Sequence, residues 1–490
     1  MSQAAQTKFA SSATEREFIQ QATQLIRQIG NCLRVEFSKP SHSDFFSRFS
    51  LNLSKIHFFG VSEKSPCAIV GKASSATAIR QLVRSYSSSN QIPVFFCGSF
   101  SAHAAALEVT PEGWGLVVSP DETFQLISSE DPFEFLKELF REKIGLGRLN
   151  PFNITQPAEG IRFFGRNDEI KMLRDDVGNN YAIAGPGLIG KSSILLKFKN
   201  DLIRKRDPRA TDTFTVDFYN LMDKSEEGIA TKIGNIVSPK LWKKYKPKVD
   251  FERFLRSAVS EFGHLQLLLD EVDEVCRSEI FQILGHESKK PGIRIVMCGR
   301  KALLDLMTKS EFSFARRFRL VKPGPLEGQD AAALIENPFR DLGLSVQTGV
   351  VNYILEMTGG LPHLIQLYCQ IIVQALAKDD LNSVSMNFVK QVEDRELGLY
   401  VVNPLLELGD DSRLVACELL NHRTKNFTES DIGSVARHLG VDLDHRELRG
   451  LCNELYVQNI ISFHRGHYSI SNRAMKYFAA KSGLVNSNRS

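Results

Sequence analysis

Gly185-Pro186-Gly187-Leu188-Ile189-Gly190-Lys191-Ser192 is the stretch that decides the fold, because it matches G-x-x-x-x-G-K-[ST] at every fixed position. The apolar run 181–184 precedes it, as a buried parallel strand should, and a helical pattern begins at 193–198. In such a turn, successive backbone N–H groups point at a triphosphate, and the N-terminus of the following helix adds its positive dipole end. A chance match in a glycine turn is the alternative, but the flanking strand and helix favour a phosphate-binding loop.

This loop predicts a nucleotide and a metal ion together. We expect Lys191 to reach the β- and γ-phosphates of ATP, and the hydroxyl of Ser192 to ligate Mg²⁺. Ser193 follows directly and is counted with the loop among the expected nucleotide-binding residues. ATP and Mg²⁺ are therefore the predicted ligands.

A second signal follows about eighty residues after the loop, where an apolar run at 265–269 ends in Asp270 and Glu271. A buried strand that ends in two carboxylates is the Walker B arrangement. Asp270 is expected to hold the Mg²⁺ shell, and Glu271 is expected to polarise the attacking water as a general base. Asp273 and Glu274 are interpreted as a solvated helix start.

Composition places the chain among globular proteins. The 490 residues are 42% hydrophobic and 24% charged, and this length suggests about three domains. The net charge of +4 is too small to predict nucleic-acid binding, and the eight cysteines show no metal-binding spacing. The N-terminus lacks the apolar region of a signal peptide, and no run approaches the length of a membrane span. We expect a cytoplasmic protein with no membrane partner.

Several segments around these motifs resemble AAA+ ATPases and STAND ATPases, the signal-transduction ATPases with numerous domains. Residues 163–170 carry an aromatic, a Gly-Arg pair and a Glu at a helix start, some twenty residues before the loop. The resemblance implies that Phe164 and Arg166 lie against the adenine, although a plain helix start with an acidic first turn also fits. A strand predicted at 294–298 is followed by Arg300, which resembles the STAND sensor arginine that contacts the γ-phosphate.

Two further features resemble the same families. Arg316 and Arg317, with Arg319, occupy the place where AAA+ relatives keep an arginine finger between subunits, and a solvated basic patch is the alternative. Pro362, after a Thr-Gly-Gly turn, resembles the lid proline that contacts the adenine, with His363 near a sensor-2 position. A helix cap explains those glycines equally well.

The C-terminal region has the element order of a winged helix. Helices are predicted at 412–422, 428–439 and 444–458, followed by a hairpin at 460–470 and a last helix. This domain has two possible roles, which are DNA binding and, as the STAND resemblance implies, packing on the nucleotide to hold the off state. The residues placed for DNA binding are Arg446, Arg449 and Arg465.

The first 150 residues form a separate α/β pattern that resembles the restriction-endonuclease-like fold. Strands are predicted at 32–37, 55–61, 67–71, 93–97 and 115–119, and helices at 77–86 and 132–144. Lys72 stands where a catalytic lysine would be, but Val70 replaces the expected acid, and His57 and His103 supply no carboxylate. Without carboxylates no metal would activate water. We expect a sensing or interaction domain that does not cleave DNA.

The segment 240–248 is basic with interleaved aromatic residues. Such a segment can contact phosphates, and a solvated loop is the alternative. The sequence by itself leaves both open.

Together these features predict an α/β fold. Its core is a P-loop NTPase of the ASCE class with a parallel sheet, a helical lid, a winged helix and a separate N-terminal α/β domain. The predicted boundaries are a disordered tail at 1–13, the N-terminal domain at 14–146, a linker at 147–160, the ATPase core at 161–325, the lid at 326–400, the winged helix at 401–482 and a tail at 483–490.

Three functions are compatible with these domains. The leading hypothesis is a STAND-like regulatory or defence ATPase that switches with bound nucleotide and couples to a protein or ligand through its N-terminal domain. The alternative is a DNA-binding AAA+ ATPase, similar to origin-recognition or transposition loaders, that forms homo-oligomers on DNA. A non-hydrolysing scaffold is disfavoured because Lys191, Ser192, Asp270 and Glu271 are all present.

Overall fold

The computed structural model describes residues 15–485 except 44–45, 54, 57, 59–60, 62–63, 72–75, 87–90, 153, 155, 247–249, 309–314, 394–396, 423–425 and 465. Three residues singled out from the sequence, His57, Lys72 and Arg465, lie outside the described residues. The chain divides into two compact units. The first contains Met1–Asn153, Leu334–Val351 and Leu367–Val392, and the second contains Ile154–Ala333, Asn352–Gln366 and Glu393–Ser490.

The first unit is built on a mixed sheet with strand order β1-β2-β3-β4-β5, in which β3, β4 and β5 are parallel and β1 and β2 are antiparallel. Its apolar core includes Ile79, Leu82 and Phe95. The elements in chain order are α1 (Glu15–Leu33), β1 (Ser41–Ser43), β2 (Phe46–Leu51), β3 (Ser65–Val70), α2 (Ala76–Ser85), β4 (Val94–Cys97), α3 (Phe100–Val109), β5 (Leu116–Val118), α4 (Pro120–Ser128), α5 (Pro132–Ile144) and α6 (Leu146–Leu149).

Two predicted strands of this unit are wrong. Helix α1 continues to Leu33, so residues 32–37 form no strand, and Phe37 makes only an isolated bridge to Leu51. The described residues of 55–61 are not in a strand either. The helix covers only the first two residues of the segment predicted as a strand, and the remaining residues 34–37 form a turn and irregular backbone. The predicted strands near 67, 93 and 115 and both predicted helices are present.

The second unit contains a parallel sheet with strand order β10-β6-β9-β8-β7. Its elements in chain order are α7 (Asn167–Asp175), β6 (Asn180–Ala184), α8 (Lys191–Arg204), β7 (Thr213–Asp217), α9 (Glu226–Val237), α10 (Pro239–Tyr245), α11 (Phe251–Phe262), β8 (Leu265–Asp270), α12 (Glu279–Glu287), β9 (Ile293–Gly299), α13 (Lys301–Thr308) and β10 (Phe318–Val321). Strand β6 leads directly into the glycine-rich loop 185–190, which opens α8. The predicted α/β fold with a P-loop and a parallel sheet is thereby confirmed.

The residues after this sheet are mainly helical. They are α14 (Gly328–Asp341), β11 (Ser345–Val346), α15 (Val350–Thr358), α16 (Pro362–Lys378), β12 (Ser383–Val384), α17 (Met386–Val392), α18 (Gly398–Leu406), α19 (Asp410–Asn421), α20 (Glu429–His438), α21 (His445–Val457), β13 (Ile461–His464), β14 (His467–Ile470) and α22 (Arg473–Lys481). From α19 onward the three helices, the antiparallel hairpin and the last helix follow the predicted order. No helix in the described ranges is both long and apolar enough to cross a membrane.

Residues near 150 and parts of the predicted lid belong to the same compact unit. Asn150 donates a side-chain hydrogen bond of 3.0 Å to the carbonyl of Gln370 in α16. The rings of Phe152 and Phe339 pack edge to face at 5.4 Å between centroids, and both side chains are buried. Residues 149–152 are therefore packed rather than solvated, and the distal halves of two helices predicted for the lid belong to the same unit as the N-terminal domain.

Ion pairs reinforce the same packing within the first unit. Lys137 of α5 lies 2.8 Å from the carboxylate of Asp341, and Arg141 donates to the backbone carbonyl of Asp341 at 2.8 Å. The Asp341 side chain is buried, so its pairing with Lys137 offsets the loss of hydration of the carboxylate.

Candidate ATP site

The site lies at the carboxyl ends of the parallel strands of the second unit, where α/β sheets place their ligands. Lys191, the first residue of α8, is buried, and its ammonium group donates to the carbonyls of Gly185 at 3.1 Å and Pro186 at 2.6 Å. Burial lowers the pKa of Lys191, and Glu271 is among the groups that oppose this shift. The ammonium group therefore lies inside the loop that was predicted to bind phosphates.

Two oxygen groups meet beside the P-loop. Asp270 ends β8, and its carboxylate is hydrogen-bonded by Ser192 from the start of α8. Burial raises the pKa of Asp270, and the Ser192 hydrogen bond and the Glu271 backbone N–H act against that shift. A hydroxyl and a carboxylate are hard oxygen ligands of the kind that Mg²⁺ takes, usually with phosphate oxygens and water completing its shell. The donor set therefore fits the predicted metal.

Asp217 was not identified from the sequence as a site residue. It ends β7 and pairs in register with Asp270 on the neighbouring strand. Its negative charge adds to the groups that raise the pKa of Asp270. An acidic residue at the carboxyl end of a strand was the available signal, but only the strand order shows that the two carboxylates are neighbours. Among the described residues, no three His, Cys, Asp or Glu side chains group around a metal position.

Glu271 and Arg300 contact each other beside the P-loop. Glu271 has a left-handed backbone with φ of 51°, and Arg300 Nη2 lies 3.4 Å from Glu271 Oε1. A Cβ added at Gly187 would lie 3.8 Å from the Arg300 guanidinium carbon. The structure thus brings the predicted general base and the predicted sensor arginine together beside the phosphate-binding loop.

Asp273 has a different role from the predicted solvated helix start. Its carboxylate accepts hydrogen bonds from the backbone N–H groups of Arg300 and of Ala302, the latter at 2.9 Å. It therefore caps the N-terminus of α13, a helix that begins nearly thirty residues later in the chain. A carboxylate is favourable there because it satisfies free N–H groups and complements the helix dipole.

The segment before the P-loop contacts the loop directly. Arg166 has a φ of 63°, donates to the carbonyl of Ile189 at 3.1 Å and pairs with Glu169 at 3.3 Å. Burial lowers the pKa of Arg166, and the nearby carboxylate of Glu169 acts in the opposite direction. Phe164 is half-buried just ahead of it. Arg166 thus supports the back of the loop through a backbone carbonyl.

The turn before Pro362 is held by backbone contacts. Leu326 donates its N–H to the carbonyl of Gly360 at 2.8 Å, and Pro362 is the half-buried first residue of α16. Burial lowers the pKa of His363, the next residue, to about 4.

The three arginines near β10 are not equivalent. Arg317 donates to the carbonyl of Gly285 at 2.7 Å, and Arg319 pairs with Asp176 at 2.8 Å. Arg316 is exposed. Arg317 and Arg319 therefore contact other residues of the chain, although Arg319, like Arg316, is exposed.

The C-terminal helices reach the P-loop, which the sequence did not predict by residue. The hydroxyl of Tyr456, from α21, donates to the carbonyl of Pro323 at 3.2 Å. A Cβ added at Gly185 would lie 2.9 Å from that hydroxyl oxygen, so a larger residue there would require the tyrosine to shift. Lys322 lies over the rings of Tyr456 and Phe463, at 5.6 and 4.6 Å from their centroids. No local pattern identifies Tyr456, because it lies some 270 residues after the loop that it touches.

Helix α21 is also fixed to α13, the helix that follows Arg300. Asn453 donates to Asp305 at 2.8 Å and to Thr308 Oγ1 at 3.1 Å. Arg449 donates to the carbonyl of Thr308 at 3.4 Å and lies 3.7 Å from Glu429. Arg449, one of the residues predicted to contact DNA, is thus engaged inside the chain.

No protein-family model matches the chain, and no curated protein does. Among solved structures, the chain is similar to a Walker-type ATPase of Pyrococcus abyssi at 17% identity and a TM-score of 0.48, covering 67% of this chain and 99% of that one. It is also similar to the ORC2 protein of Aeropyrum pernix in ADPNP–ADP complexes, at 10% identity and a TM-score of 0.43, covering 68% and 98% of the two chains. The Aeropyrum pernix ORC1 protein in complex with DNA matches at 14% identity and a TM-score of 0.37, covering 69% and 96%.

Proposed function

We propose that the chain is an ATP-hydrolysing molecular switch in which the C-terminal helices respond to the nucleotide at the P-loop. The observation that carries this proposal is the contact of Tyr456 with the P-loop, where the tyrosine hydroxyl lies against Gly185 and binds the carbonyl of Pro323. A side chain in that place adjoins the loop that would hold the phosphates. Any movement of the loop or of Pro323 on nucleotide binding would therefore act on α21.

The residues of the loop have separate roles in this proposal. Lys191 exchanges the carbonyls of Gly185 and Pro186 for the β- and γ-phosphates of ATP. Ser192 and Asp270 hold Mg²⁺, which would neutralise charge on the phosphates. Glu271 accepts a proton from the attacking water, because it directly follows the metal-binding Asp270 at the end of β8.

Arg300 connects the phosphates to the C-terminal helices. Its guanidinium group adjoins Gly187 and Glu271, and its backbone N–H is held by Asp273 at the start of α13. At the other end of α13, Asp305 is bound by Asn453 of α21. When the Arg300 side chain leaves Glu271 and binds a γ-phosphate, the start of α13 moves with it. This movement weakens the contacts between α13 and α21.

For the first unit we propose a sensing or interaction role, with a protein or small ligand as the partner. The first unit contains the distal ends of α14 and α16, at 334–341 and 367–378. A partner that changes the packing around Asp341 would act on the lid through these helices. His103 is half-buried in α3, and burial lowers its pKa, so it is no strong candidate for a nuclease site.

A DNA-binding AAA+ ATPase is the second candidate, and it uses the same ATP site. DNA contact through α21 by Arg446 and Arg449 would follow the release of α21 from α13, because Arg449 is engaged with Thr308 in the docked arrangement. Homo-oligomers would then offer Arg316 to a neighbouring nucleotide, since Arg317 and Arg319 are bound within the chain.

Steady-state ATP hydrolysis of Tyr456→Ala tests the switch. Removal of the ring frees the loop from α21, so turnover should rise several-fold, and Tyr456→Phe should rise less because it loses only the hydroxyl contact. Lys191→Ala serves as the inactive reference, since it removes the charged partner of the phosphates. Parent-like turnover in Tyr456→Ala, with the fold intact by circular dichroism, would show that α21 does not restrain the site.

A further inference from the structure

Three lysines lie on one side of α10, the short helix between α9 and α11. Lys240, Lys243 and Lys244 are exposed and follow the spacing i, i+3, i+4, which places them on a single helix face. We refer to these three residues as the lysine face. Lys246, just beyond the helix, is exposed as well.

The opposite side of α10 is fixed to the body of the unit. The Trp242 side chain is 1% exposed, and its ring packs edge to face on Phe254 at 5.2 Å between centroids. A Cβ added at Gly234 would lie 2.4 Å from the Trp242 ring, so the glycine leaves room for the indole to pack against α9. The hydroxyl groups of Tyr245 and Ser257 are 2.7 Å apart, within hydrogen-bonding distance. With its aromatic residues held inward, the helix has a fixed orientation and directs its lysines to solvent.

Burial of the aromatic residues narrows the choice of ligand. Proteins that bind single-stranded nucleic acid stack its bases on exposed aromatic rings, and the ring of Trp242 is not accessible for stacking. Peripheral membrane helices bury an apolar side in the lipid, whereas the apolar side of α10 is used within the protein. The core of a protein–protein interface is depleted of charged residues, whereas the lysine face consists only of charged residues, which argues against a protein partner. A surface made only of ammonium groups is suited to bind the phosphates of a nucleic-acid backbone.

The lysine face also lacks internal counter-charges. Elsewhere in the same unit, lysines pair with carboxylates, as Lys197 does with Asp201 and Lys224 with Glu274. Within the described ranges, none of the three lysines has a carboxylate within ion-pair distance. Lys243 and Lys244 lie in the last turn of α10, where the helix dipole favours a positive charge, but like charges at this spacing repel each other.

We propose that the lysine face binds the phosphate backbone of double-stranded DNA. Contacts of this type fix the position of a protein on the duplex without reading its sequence. This surface is distinct from the arginines of α21, and it is accessible while α21 is docked. The proposal goes beyond the ATP switch and is independent of hydrolysis, because α10 contributes no residue to the P-loop site.

Binding of a fluorescent 30-base-pair duplex, measured by anisotropy over a range of salt concentrations, tests the proposal. The variant replaces Lys240, Lys243 and Lys244 with Gln. The matched control replaces Arg204, Lys205 and Arg206 with Gln, which removes the same charge from another exposed basic run. Since the slope of log K against log salt is about −0.9 per phosphate contact, the lysine-face variant should lose up to about 2.7 of that slope. At low salt its Kd should rise at least tenfold, while the control stays within about threefold of the parent.

Four results would overturn the proposal. These are equal losses in the two variants, no loss in either, no duplex binding by the parent, and tighter binding of a single strand of the same length. ATP binding and thermal unfolding of both variants are measured alongside, and they should match the parent because all six side chains are exposed. A loss of DNA binding with intact ATP binding separates this proposal from failure of the ATP switch.

Discussion

At the scale of single residues, the site consists of charged groups that are held by their own chain. The ammonium group of Lys191 occupies the loop through two carbonyls, and Arg300 is paired with Glu271 at 3.4 Å. Both arrangements keep a buried or half-buried charge satisfied until a phosphate replaces the partner. The residues are therefore positioned before the nucleotide arrives, which lowers the cost of organising the site.

Glu271→Gln should leave ATP binding intact and slow turnover by about 10²–10⁴, because the amide keeps the shape of the side chain but cannot accept a proton. Isothermal titration gives the affinity, and phosphate release gives the rate. Glu274→Gln is the matched control, since it makes the same change at an exposed neighbouring acid that pairs with Lys224. Hydrolysis at the parent rate in Glu271→Gln would remove Glu271 from the role of base.

Arg300→Ala should lower the affinity for ATP by roughly tenfold to a hundredfold and leave the affinity for ADP almost unchanged. The reason is that a charge-assisted hydrogen bond to the γ-phosphate contributes about 1.5–3 kcal/mol. Titration of parent and variant with both nucleotides measures the difference. Equal weakening of ATP and ADP would indicate a folding defect, and no change in either would indicate that Arg300 only caps a turn.

His363 should make the second unit sensitive to acid. Its Nδ1 atom is buried with no hydrogen-bond partner among the described residues, and burial lowers its pKa from 6.5 to about 4. The folded state therefore resists protonation that the unfolded state accepts. Stability is full above about pH 6.5 and falls as the pH drops toward 4, by about 3 kcal/mol in all.

Urea unfolding at pH 7.0 and pH 4.5 measures this loss. His363→Leu should show a smaller difference between the two pH values than the parent, because the titrating group is gone. If the two proteins lose the same stability, His363 is not the group that titrates.

At the scale of elements, α13 connects the sheet to the C-terminal helices. Its N-terminus is capped by Asp273, and its far end carries Asp305 and Thr308, which accept hydrogen bonds from Asn453. A helix of eight residues transmits a displacement at one end to the other, because its backbone hydrogen bonds make it stiff. The contacts at both ends are buried or half-buried, so each would be costly to break without a compensating contact.

Asn453→Ala should favour release of α21 and raise ATP turnover. Loss of a buried hydrogen bond of about 1–3 kcal/mol shifts the docked equilibrium by roughly 5- to 150-fold. Asn453→Asp should have a larger effect, since it places a second carboxylate against Asp305. Limited proteolysis between α18 and α19 reports the release, and protection equal to that of the parent in both variants would contradict the role of Asn453.

At the scale of the whole molecule, the N-terminal domain and the distal ends of the lid helices form one packed unit. Phe339 and Leu342 are buried within it, and Asn150 and Phe152 cover α16 and α14. The ATPase core and the C-terminal helices form the other unit. The folding units therefore differ from a simple series of domains along the chain.

A protein that starts at residue 154 should fold poorly, because deletion of 1–153 exposes the apolar side of α14 and α16. We expect low solubility and an early thermal transition for this truncation. Co-expression of fragment 1–153 should restore both by covering the exposed surface. A soluble truncation with parent-like thermal unfolding of the ATPase would show that the lid needs no N-terminal partner.

The sequence by itself determined the features that depend on local pattern. The P-loop with the strand before it, the strand that ends in Asp270, the strand near 294–298 and the helices from 410 to 457 were predicted. Each depends on spacing within about twenty residues, where periodicity and glycine chemistry act directly. The same local reasoning was wrong at 32–37, where α1 continues to Leu33 and the following residues form no strand.

Only the tertiary structure decided which distant residues meet. Tyr456 reaches Gly185, Asp217 pairs with Asp270, and Asn150 binds Gln370 across 220 positions. Such contacts depend on strand order and on the packing of whole helices, and the hydrophobic period of a helix shows that one face is buried but not against what. For the same reason the sequence could show a basic segment with aromatic residues. Only the packing of Trp242 on Phe254 showed that the rings of this segment face the protein and its lysines face the solvent.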